Sequence, residues 1–448
     1  MAVTTDPAAL LTPQGAELLH RLAAQDAGTQ DTAPLALAER LRREYPAALV
    51  AAAMAQQELR QAAQAKFSRA AQMLFTRAGY EQSSSETVAA YRAGRLKNAS
   101  RVADLCCGIG GDLIALAAAS DVLAVDRDET HARYALHNAA VYGRAAHVTT
   151  LVADVRDVNL ADVDAVFIDP ARRAGPDAPG QRGPAHGGVG QPRAAQVYRY
   201  KAGISEPPLD WCVALTSKVE AVCVKAAPGL PEELIPDDWE AEFIAEARDL
   251  KEAVLWSPAL ASAPPRAGTQ GARGPRRRAT VLATAPAPGP ATAPAGQPPQ
   301  TYTLVAREGD PVPLKEPGEY LLDPNPAVTR AGLVEDLARD LAGDAATYAA
   351  GDVAKIDPRI AFLTLDRDVR TPFARTLRVL HSAPWNEKQF AKRLRDLGIG
   401  AVDIRRRGLA GDVDQIRRRL KLSGKNRATV VITRVNDKPW GLICTDPA

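Results

Sequence analysis

The chain has 448 residues, of which 46% are hydrophobic and 24% charged, and its formal net charge is +3 at pH 7. This composition excludes wholesale disorder, and the length predicts two or three domains. Its five cysteines follow neither a disulfide framework nor a zinc-ligand spacing, and its longest small-apolar run is too short to span a bilayer, so we expect a cytoplasmic protein with no metal and no membrane anchor.

The N-terminal segment has a helical pattern. Residues 13–77 are rich in Ala, Leu and Arg, with apolar residues recurring at intervals of three and four. This predicts a helical region over residues 1–78. Ser83 and Glu86 have the spacing of a capping box, which predicts a further helix that continues to Leu96.

Short apolar runs then alternate with helical patterns between Arg101 and Asp169, which predicts βαβ units and a parallel sheet. The runs that predict about seven strands are 102–105, 122–125, 148–152, 165–168, 221–224, 253–256 and 279–283. The expected fold class is α/β, with a Rossmann-like seven-stranded sheet over residues 79–284. Residues 174–193 and 261–278 are poor in core-forming residues and are predicted to be mobile loops.

The C-terminal third has a separate character. Residues 285–300 alternate Pro, Ala, Thr and Gly and predict a linker. Residues 301–448 predict an α+β domain, with helical patterns at 329–341, 387–396 and 413–422 and strands at 401–404 and 429–435. Between Lys388 and Arg434 there are fourteen Lys or Arg and four Asp, a formal +10, so the remainder sums to −7. We therefore expect a docking face for a polyanion.

The strongest chemical signal is the segment 102–112, an apolar strand followed by a glycine-containing turn and a helix start. Gly108 and Gly110 are the residues at which a Cβ would block a ligand from the backbone and from the amides of the helix N-terminus. Asp126 ends the next strand, where a ribose-binding carboxylate belongs. Asp154 ends the third strand, beside the expected adenine position.

These residues resemble class I S-adenosylmethionine (SAM)-dependent methyltransferases. Residues 104–110 are similar to the first motif of that family, Asp126 to the second, Asp154 to the third and Asp169-Pro170 to the fourth. The resemblance implies that SAM is the cofactor. The residues it implies for cofactor binding are Asp104, Cys106, Gly108, Gly110, Asp126 and Asp154. Cys106 stands where the family usually has its first glycine, so the turn could be slightly reshaped.

A closer resemblance is to a bacterial subgroup with an Asp-Pro-Ala-Arg-Arg motif, a Val-Lys-x-Ala-Pro-Gly strand end and a THUMP-like C-terminal domain. Here the two motifs are residues 169–173 and 224–229. The C-terminal half is similar to that subgroup at 320–324, 330–334, 371–375 and 405–408. Residues 75–83 are similar to the segment that precedes the first motif in guanine-N2-methylating cap enzymes, which points to a nucleobase amine.

The resemblance to amino methyltransferases implies that Asp169 and the Pro170 carbonyl accept hydrogens from a target amine and orient its lone pair. RNA, either tRNA or rRNA, is the substrate we expect. The arginines expected to hold its phosphates are Arg172, Arg173, Arg405, Arg406 and Arg407. Pyrimidine C5 methylation ranks low, because no cysteine follows Asp169 in the turn.

Other interpretations stay open at this point. The glycine turn could belong to another dinucleotide-binding site, and Asp126 and Asp154 could simply cap helices. Arginine runs are often only solvated faces, and Arg172 and Arg173 could pair with surface carboxylates. The chain could methylate a protein or a small molecule, or it could be a non-catalytic RNA-binding protein with a vestigial SAM pocket.

Overall fold

The computed structural model describes residues 7–26, 34–172, 205–263, 266–267, 273–283, 300–307, 309–343, 352–409 and 411–447. The chain forms two compact units, Met1–Ile235 with Val254–Ala261 and Pro236–Ala253 with Ser262–Ala448. The predicted loop 174–193 and all of the predicted linker except Gln300 lie outside the described residues. No helix in the described ranges is long and apolar enough to cross a membrane.

The first unit begins with the predicted helices. They are α1 (Pro13–Asp26), α2 (Pro34–Leu41), α3 (Ala47–Ala63), α4 (Arg77–Gln82) and α5 (Glu86–Leu96), after a 3-10 turn at Pro7–Leu11. Helix α5 begins as predicted, but its cap differs. Ser85, not Ser83, accepts the hydrogen bond from the Val88 amide at 3.4 Å, and the Glu86 carboxylate turns away to the Ser68 hydroxyl at 3.1 Å.

A parallel sheet follows in the same unit. Its strands and the short pair beside them are β1 (Arg101–Leu105), β2 (Asp121–Asp126), β3 (Val148–Val152), β4 (Ala165–Ile168), β5 (Ala171–Arg172), β6 (Ser205–Glu206) and β7 (Ala221–Ala226). The sheet order is β3-β2-β1-β4-β7, and every pairing is parallel. The sheet reverses its winding between β1 and β4, and ligands of open α/β sheets bind at such a switch point.

Helices α6 (Leu113–Leu116), α7 (Glu129–Val141) and α8 (Leu209–Ala214) connect these strands, together with 3-10 turns at Ala145–His147, Val155–Asp157 and Leu215–Ser217. The N-terminal helices share one core with this sheet domain. Buried Leu74 and Phe75 cluster there with Ile109 and Ile114, which flank the glycine turn, and with Tyr134 of α7. The helical region therefore supports the turn from one side.

A 3-10 turn at Glu232–Leu234 ends this part of the first unit. The next strands belong wholly or mostly to the second unit. They are β8 (Glu240–Glu246), most of β9 (Asp249–Trp256), β10 (Arg266–Ala267), β11 (Arg273–Gly274), β12 (Arg276–Leu282) and β13 (Thr301–Val305). Strand β12 is parallel to β8 and antiparallel to β13. All seven predicted strands are present, while β5, β6, β8, β10, β11 and β13 were not predicted. Residues 276–278, predicted as part of a loop, are the start of β12.

A second sheet completes this unit. Its strands are β14 (Tyr320–Pro324), β15 (Ala354–Lys355), β16 (Leu363–Leu365), β17 (Ala374–Pro384), β18 (Ile399–Arg406), β19 (Asn426–Val435) and β20 (Lys438–Thr445). The order is β15-β16-β14-β17-β20-β19-β18, and only β18 and β19 are parallel within it. This is the expected α+β architecture.

Helices α9 (Pro326–Ala331), α10 (Val334–Ala342), α11 (Glu387–Asp396) and α12 (Val413–Leu420) accompany that sheet. The helix predicted over 329–341 is divided in two, because Gly332 at φ 69° ends α9 in the left-handed conformation. Helix α11 has the predicted bounds. Phe390 and Leu394 of α11 and Leu420 of α12 are buried in one cluster with the sheet.

Candidate active site

The turn after β1 has the backbone of a glycine-rich loop. Cys106, Gly108 and Gly110 have φ values of 62°, 53° and 85°, all in the left-handed region. Only glycine adopts this region without strain, and another residue there is less stable by about 1–2 kcal/mol. Cys106 therefore holds a backbone conformation that favours glycine, at a local energetic cost.

The two glycines have different tasks. A Cβ on Gly108 would meet no described heavy atom within 4 Å, and Gly108 lines an open cleft of about 230 Å³. A Cβ on Gly110 would lie 3.0 Å from the Cα of Ala135 in α7, so Gly110 permits the turn to pack against that helix. Gly108 leaves room for a ligand, and Gly110 leaves room for the protein.

The cleft lies at the carboxyl ends of the parallel strands. Six of the residues expected from the sequence line it together: Asp104, Cys106, Gly108, Asp126, Asp154 and Asp169. They come from β1 and the turn after it and from the ends of β2, β3 and β4. The topology thus brings four separate sequence motifs to one opening.

Asp104 is a buried carboxylate with an unusual environment. Its side chain is 1% exposed, and neither of its carboxylate oxygens has a hydrogen-bond donor among the described residues. Burial, followed by repulsion from Asp112, Asp169 and Asp126, raises the pKa of Asp104 well above its usual range. A buried carboxylate without a partner is costly, so this one is suited to a cationic group of a ligand.

Asp126 is tied to the glycine turn. Its Oδ2 accepts a hydrogen bond from the Gly108 amide at 2.9 Å, and its Oδ1 accepts one from the Asp128 amide at 2.9 Å and lies 3.6 Å from His131 Nδ1. Burial opposes ionisation, but His131 and the two amides lower the pKa of Asp126 below its usual value, and the same contact with Asp126 raises the pKa of His131. The ionised carboxylate keeps acceptor capacity for hydroxyl groups.

Asp154 follows β3 and performs a capping role in this structure. Its Oδ1 accepts a hydrogen bond from the Arg156 amide at 2.9 Å, and its Oδ2 lies 3.1 Å from the Arg156 guanidinium. Arg156 also pairs with Glu206, and both residues line the cleft. Asp154 thus caps a turn and faces the cleft at the same time, so both sequence interpretations are compatible with its position.

Asp169 directly follows β4, and its amide donates to the Leu105 carbonyl at 3.2 Å. Its Oδ2 lies 2.5 Å from Nζ of Lys225, a β7 residue whose side chain is 7% exposed and whose Nζ lies 3.4 Å from the Gln82 carbonyl. Pro170 is buried and is not among the residues that line the cleft. The side chains of Arg172 and Arg173 lie outside the described part of the structure.

The sequence did not assign a site role to several other residues that line the cleft, among them Gly79, Gln82, Ser83, His131, Arg156 and Glu206. The first three belong to α4 and its end, which the resemblance over residues 75–83 had marked without naming a role. Thr76 caps α4 and its hydroxyl lies 3.2 Å from His131 Nε2. Helix α4 is therefore a wall of the site.

Two buried polar side chains fix the turn from behind. Asn138 of α7 donates to the carbonyls of Leu74 and Ile109 at 2.9 and 2.8 Å. Arg92 of α5 pairs with Asp112 in the turn and lies over the Phe167 ring, 5.3 Å from its centroid. The turn is thereby held by groups that the ligand does not need to touch.

The cysteines near the cleft are not set up as nucleophiles. Burial raises the pKa of Cys106 and that of Cys107, and it raises the pKa of Cys212 to about 12. The thiolate is the reactive form of cysteine. No group of three His, Cys, Asp or Glu in the described part of the chain could hold a metal.

The arginines of the second unit do not form one row. Arg405 is exposed and pairs with Asp403 at 3.0 Å, and Arg406 is exposed. Arg407 turns inward, where it pairs with Asp323 at 2.9 Å and lies 4.8 Å from the Phe362 ring centroid. The contacts of Arg407 are therefore with the protein's own side chains.

The fold and the cleft define a Rossmann-like nucleotide-binding domain of the methyltransferase type, and comparison with known proteins gives the family. Residues 99–178 match the model of the RNA cap guanine-N2 methyltransferases, residues 374–446 that of THUMP domain-like proteins, and residues 4–63 that of a domain of unknown function. A crystal structure of a candidate methyltransferase from Porphyromonas gingivalis has the same fold, with a TM-score of 0.65 and 18% identity over 97% of this chain and 98% of that one.

Two uncharacterised S-adenosylmethionine-dependent methyltransferases of Mycobacterium tuberculosis, from two strains, are each 32% identical over 369 residues, which covers 81% of this chain and 85% of the relative. The chain belongs to the family of S-adenosylmethionine-dependent methyltransferases, with a THUMP-like domain at its C-terminus, and its cofactor is S-adenosylmethionine.

Proposed function

We propose that this enzyme methylates RNA, either tRNA or rRNA, at a base nitrogen such as N2 of guanine. The observation that carries the RNA assignment is the charge of the C-terminal domain. Between residues 388 and 427, twelve Lys or Arg are exposed against three exposed Asp. Such a surface neutralises phosphates and supplies most of the affinity for a nucleic acid.

Helices α11 and α12 explain why that charge faces outward. Their apolar residues are buried against the sheet, as Phe390, Leu394 and Leu420 show. The remaining faces carry the exposed basic residues Lys388, Lys392, Arg393, Arg395, Arg417, Arg418 and Arg419. The matches to an RNA cap methyltransferase model and to a THUMP-like model support the same substrate class.

The cofactor fits the residues present in the cleft. The unpartnered carboxylate of Asp104 would hold the ammonium group, Asp126 would accept the ribose hydroxyls, and Gly108 leaves space beside the backbone. Asp154 would accept the adenine amino hydrogens, with Cys106 and Gly110 shaping the turn. When bound, the cofactor supplies a methyl group on a sulfonium that needs no further activation.

The protein's task is then to orient the acceptor. Asp169 borders the cleft, and Lys225 fixes its carboxylate through Oδ2. An ionised carboxylate has about four acceptor sites, so Asp169 can still accept a hydrogen from a target amine. The Pro170 carbonyl would accept the second hydrogen, and the amine lone pair would then point along the axis of transfer. Alignment of this kind contributes to rate without a reactive side chain.

A labelling experiment tests the proposal. The purified protein is incubated with methyl-labelled cofactor and with RNA or protein fractions of the cell, and an Asp126→Ala variant serves as the blank. Label in RNA, found as N2-methylguanosine after digestion to nucleosides, is the expected result. Label in protein or small molecules would favour the rival substrate classes. Cofactor binding without transfer to any fraction would favour a non-catalytic RNA-binding protein.

A further inference from the structure

Residues of three sequence motifs of the second unit lie close together around Asp323. Asp323 ends β14, and its side chain is 7% exposed. Its Oδ2 lies 3.1 Å from Arg248 Nη2 and its Oδ1 lies 2.9 Å from Arg407 Nη2. Arg375, from the motif at 371–375, pairs with Asp323 in the register of β14 and β17.

Four arginines (Arg248, Arg375, Arg405 and Arg407) lie near three carboxylates (Asp323, Asp403 and Asp446). Burial lowers the pKa of Arg248, and the nearby charges of Arg405, Arg375 and Arg407 lower it further, against the attraction of Asp323. Asp403 pairs with Arg405, and Asp446 lies 2.8 Å from Arg375. Asp446 has a side chain that is 71% exposed, so it is the carboxylate of this group that another anion can most easily displace.

A pocket of about 690 Å³ opens beside this cluster. Arg248, Arg370 and Arg375 line it, and so do Thr371, Tyr302 and Asp446. Guanidinium groups bind phosphate through paired hydrogen bonds, and aromatic rings stack on nucleobases. All of these residues belong to the second unit, whereas the residues named above for the cofactor belong to the first.

We propose that this pocket binds a phosphorylated nucleotide, with its phosphate on Arg375 and Arg248 and its base on Tyr302. In the structure the Asp446 carboxylate pairs with the Arg375 guanidinium, and the phosphate would take its place. The nucleotide is either a residue of RNA or a free nucleotide, since both present the same phosphate and base. The proposal does not depend on which substrate the enzyme methylates.

Binding of uridine monophosphate to the full-length protein tests this proposal, measured by calorimetry with saturating S-adenosylhomocysteine so that the cofactor cleft is blocked. We expect uridine monophosphate to bind and uridine to bind at least about tenfold more weakly, because uridine lacks the phosphate that would accept charge-assisted hydrogen bonds from the two arginines. Equal affinity for the two compounds, or no binding of either, would overturn the proposal.

Two variants act in opposite directions. Arg375→Ala is expected to weaken binding at least about tenfold, whereas Asp446→Asn removes the competing carboxylate and is expected to strengthen it about threefold or more. Arg378→Ala is the control with the same change in charge, since Arg378 is an exposed residue of the same strand as Arg375 and does not line the pocket. If Asp446→Asn leaves the affinity unchanged, the pocket does not take phosphate as proposed, even if Arg375→Ala proves unstable.

Competition between uridine monophosphate and short RNAs identifies the source of the nucleotide. A 5′-phosphorylated RNA hexamer that displaces uridine monophosphate from the wild-type protein, but not when it lacks the phosphate, assigns the pocket to an RNA end. Displacement by neither hexamer assigns it to a free nucleotide. Because binding is measured without methyl transfer, failure of the RNA methylation proposal would leave this result intact.

Discussion

Lys225 Nζ lies 2.5 Å from Asp169 Oδ2. Lys225 is near the carboxyl end of β7, and Asp169 follows the neighbouring parallel strand β4. The lysine side chain is 7% exposed and the carboxylate is 31% exposed. Lys225 is therefore largely hidden, while Asp169 faces the cleft. Without Lys225 the Asp169 carboxylate loses its ion-pair partner, so the position of Asp169 depends on Lys225.

Lys225→Met should lower kcat for methyl transfer on the order of a hundredfold, because a misplaced acceptor loses alignment. Cofactor affinity should fall far less than kcat, since Lys225 does not line the cleft and its charge is the smallest of the influences on the pKa of Asp104. Lys225→Arg keeps the charge and should restore part of the rate. Kinetics of transfer and calorimetric titration with cofactor separate the two effects. Equal loss of cofactor binding in both variants would mean that Lys225 only supports the fold.

Asp126→Ala should weaken cofactor binding about thirtyfold or more, because two hydrogen bonds to a charged carboxylate are lost. Asp121 lies at the other end of the same strand, where its side chain is 71% exposed, and Asp121→Ala is the matched control. Calorimetric titration with S-adenosylmethionine gives both affinities. The ribose assignment is wrong if the two variants bind the cofactor equally well.

Asp104→Asn should stabilise the free protein and abolish cofactor binding. The raised pKa of Asp104 means that its contribution to stability is fully present below the unfolded-state pKa and is lost as pH rises through the folded-state pKa. At neutral pH the amide should therefore raise Tm, by about 2–4 °C for each kcal/mol gained. Thermal unfolding with and without cofactor measures both effects.

The same carboxylate makes cofactor affinity depend on pH. Asp104 must be ionised to pair with an ammonium group, so the affinity of the wild-type protein should increase as pH rises through the raised pKa. Asp104→Asn should remove that dependence. A wild-type affinity that falls with increasing pH over this range would contradict the pairing.

Cys106→Gly should stabilise the protein by about 1 kcal/mol, because glycine adopts φ 62° without strain. The gain is partly offset by the greater freedom of glycine in the unfolded chain. Cys107 is buried and is not among the residues with positive φ, so Cys107→Gly should destabilise instead. Denaturant unfolding of the two variants, run side by side, compares the effects. Destabilisation of similar size in both would show that the Cys106 side chain matters more than its backbone.

The outer face of α12 should bind RNA phosphates. Replacing Arg417, Arg418 and Arg419 by Ala should weaken RNA binding and reduce the slope of log affinity against log salt by about 2, because each lost phosphate contact removes about 0.7. The control replaces three exposed arginines of the first unit, Arg42, Arg43 and Arg133, with the same change in charge. Fluorescence anisotropy across a salt series measures both slopes. Identical slopes for the two triple variants would contradict an RNA-binding face on α12.

Much of the fold could be predicted from local patterns. The strands predicted between Arg101 and Asp169 are present at the predicted positions and are parallel. They could be predicted because a buried parallel strand is a short run of apolar residues. Strand β8 was missed because Glu240 and Glu242, both fully buried, break its apolar pattern. Their burial is made possible by partners distant in sequence, such as Arg278, which lies 2.9 Å from Glu240.

Site residues that belong to a local motif could be predicted from the sequence. Site features that depend on a contact between distant residues could not. Gly108 and Asp126 follow from motif spacing, and the structure places them 2.9 Å apart through the amide and Oδ2. The Lys225 and Asp169 pair joins two strands separated by fifty-six positions, and no local pattern shows which partner a buried lysine takes. The division of labour between Gly108 and Gly110 likewise depends on where Ala135 lies.

Asn138 links the backbone before the sheet domain to the backbone of the glycine turn, and Leu74 and Phe75 share a core with Ile109. The helical N-terminal region is consequently no detachable accessory. Deleting this region would remove the groups that hold the glycine turn, so we expect a shortened chain that starts at the first motif to lose its affinity for the methyl donor.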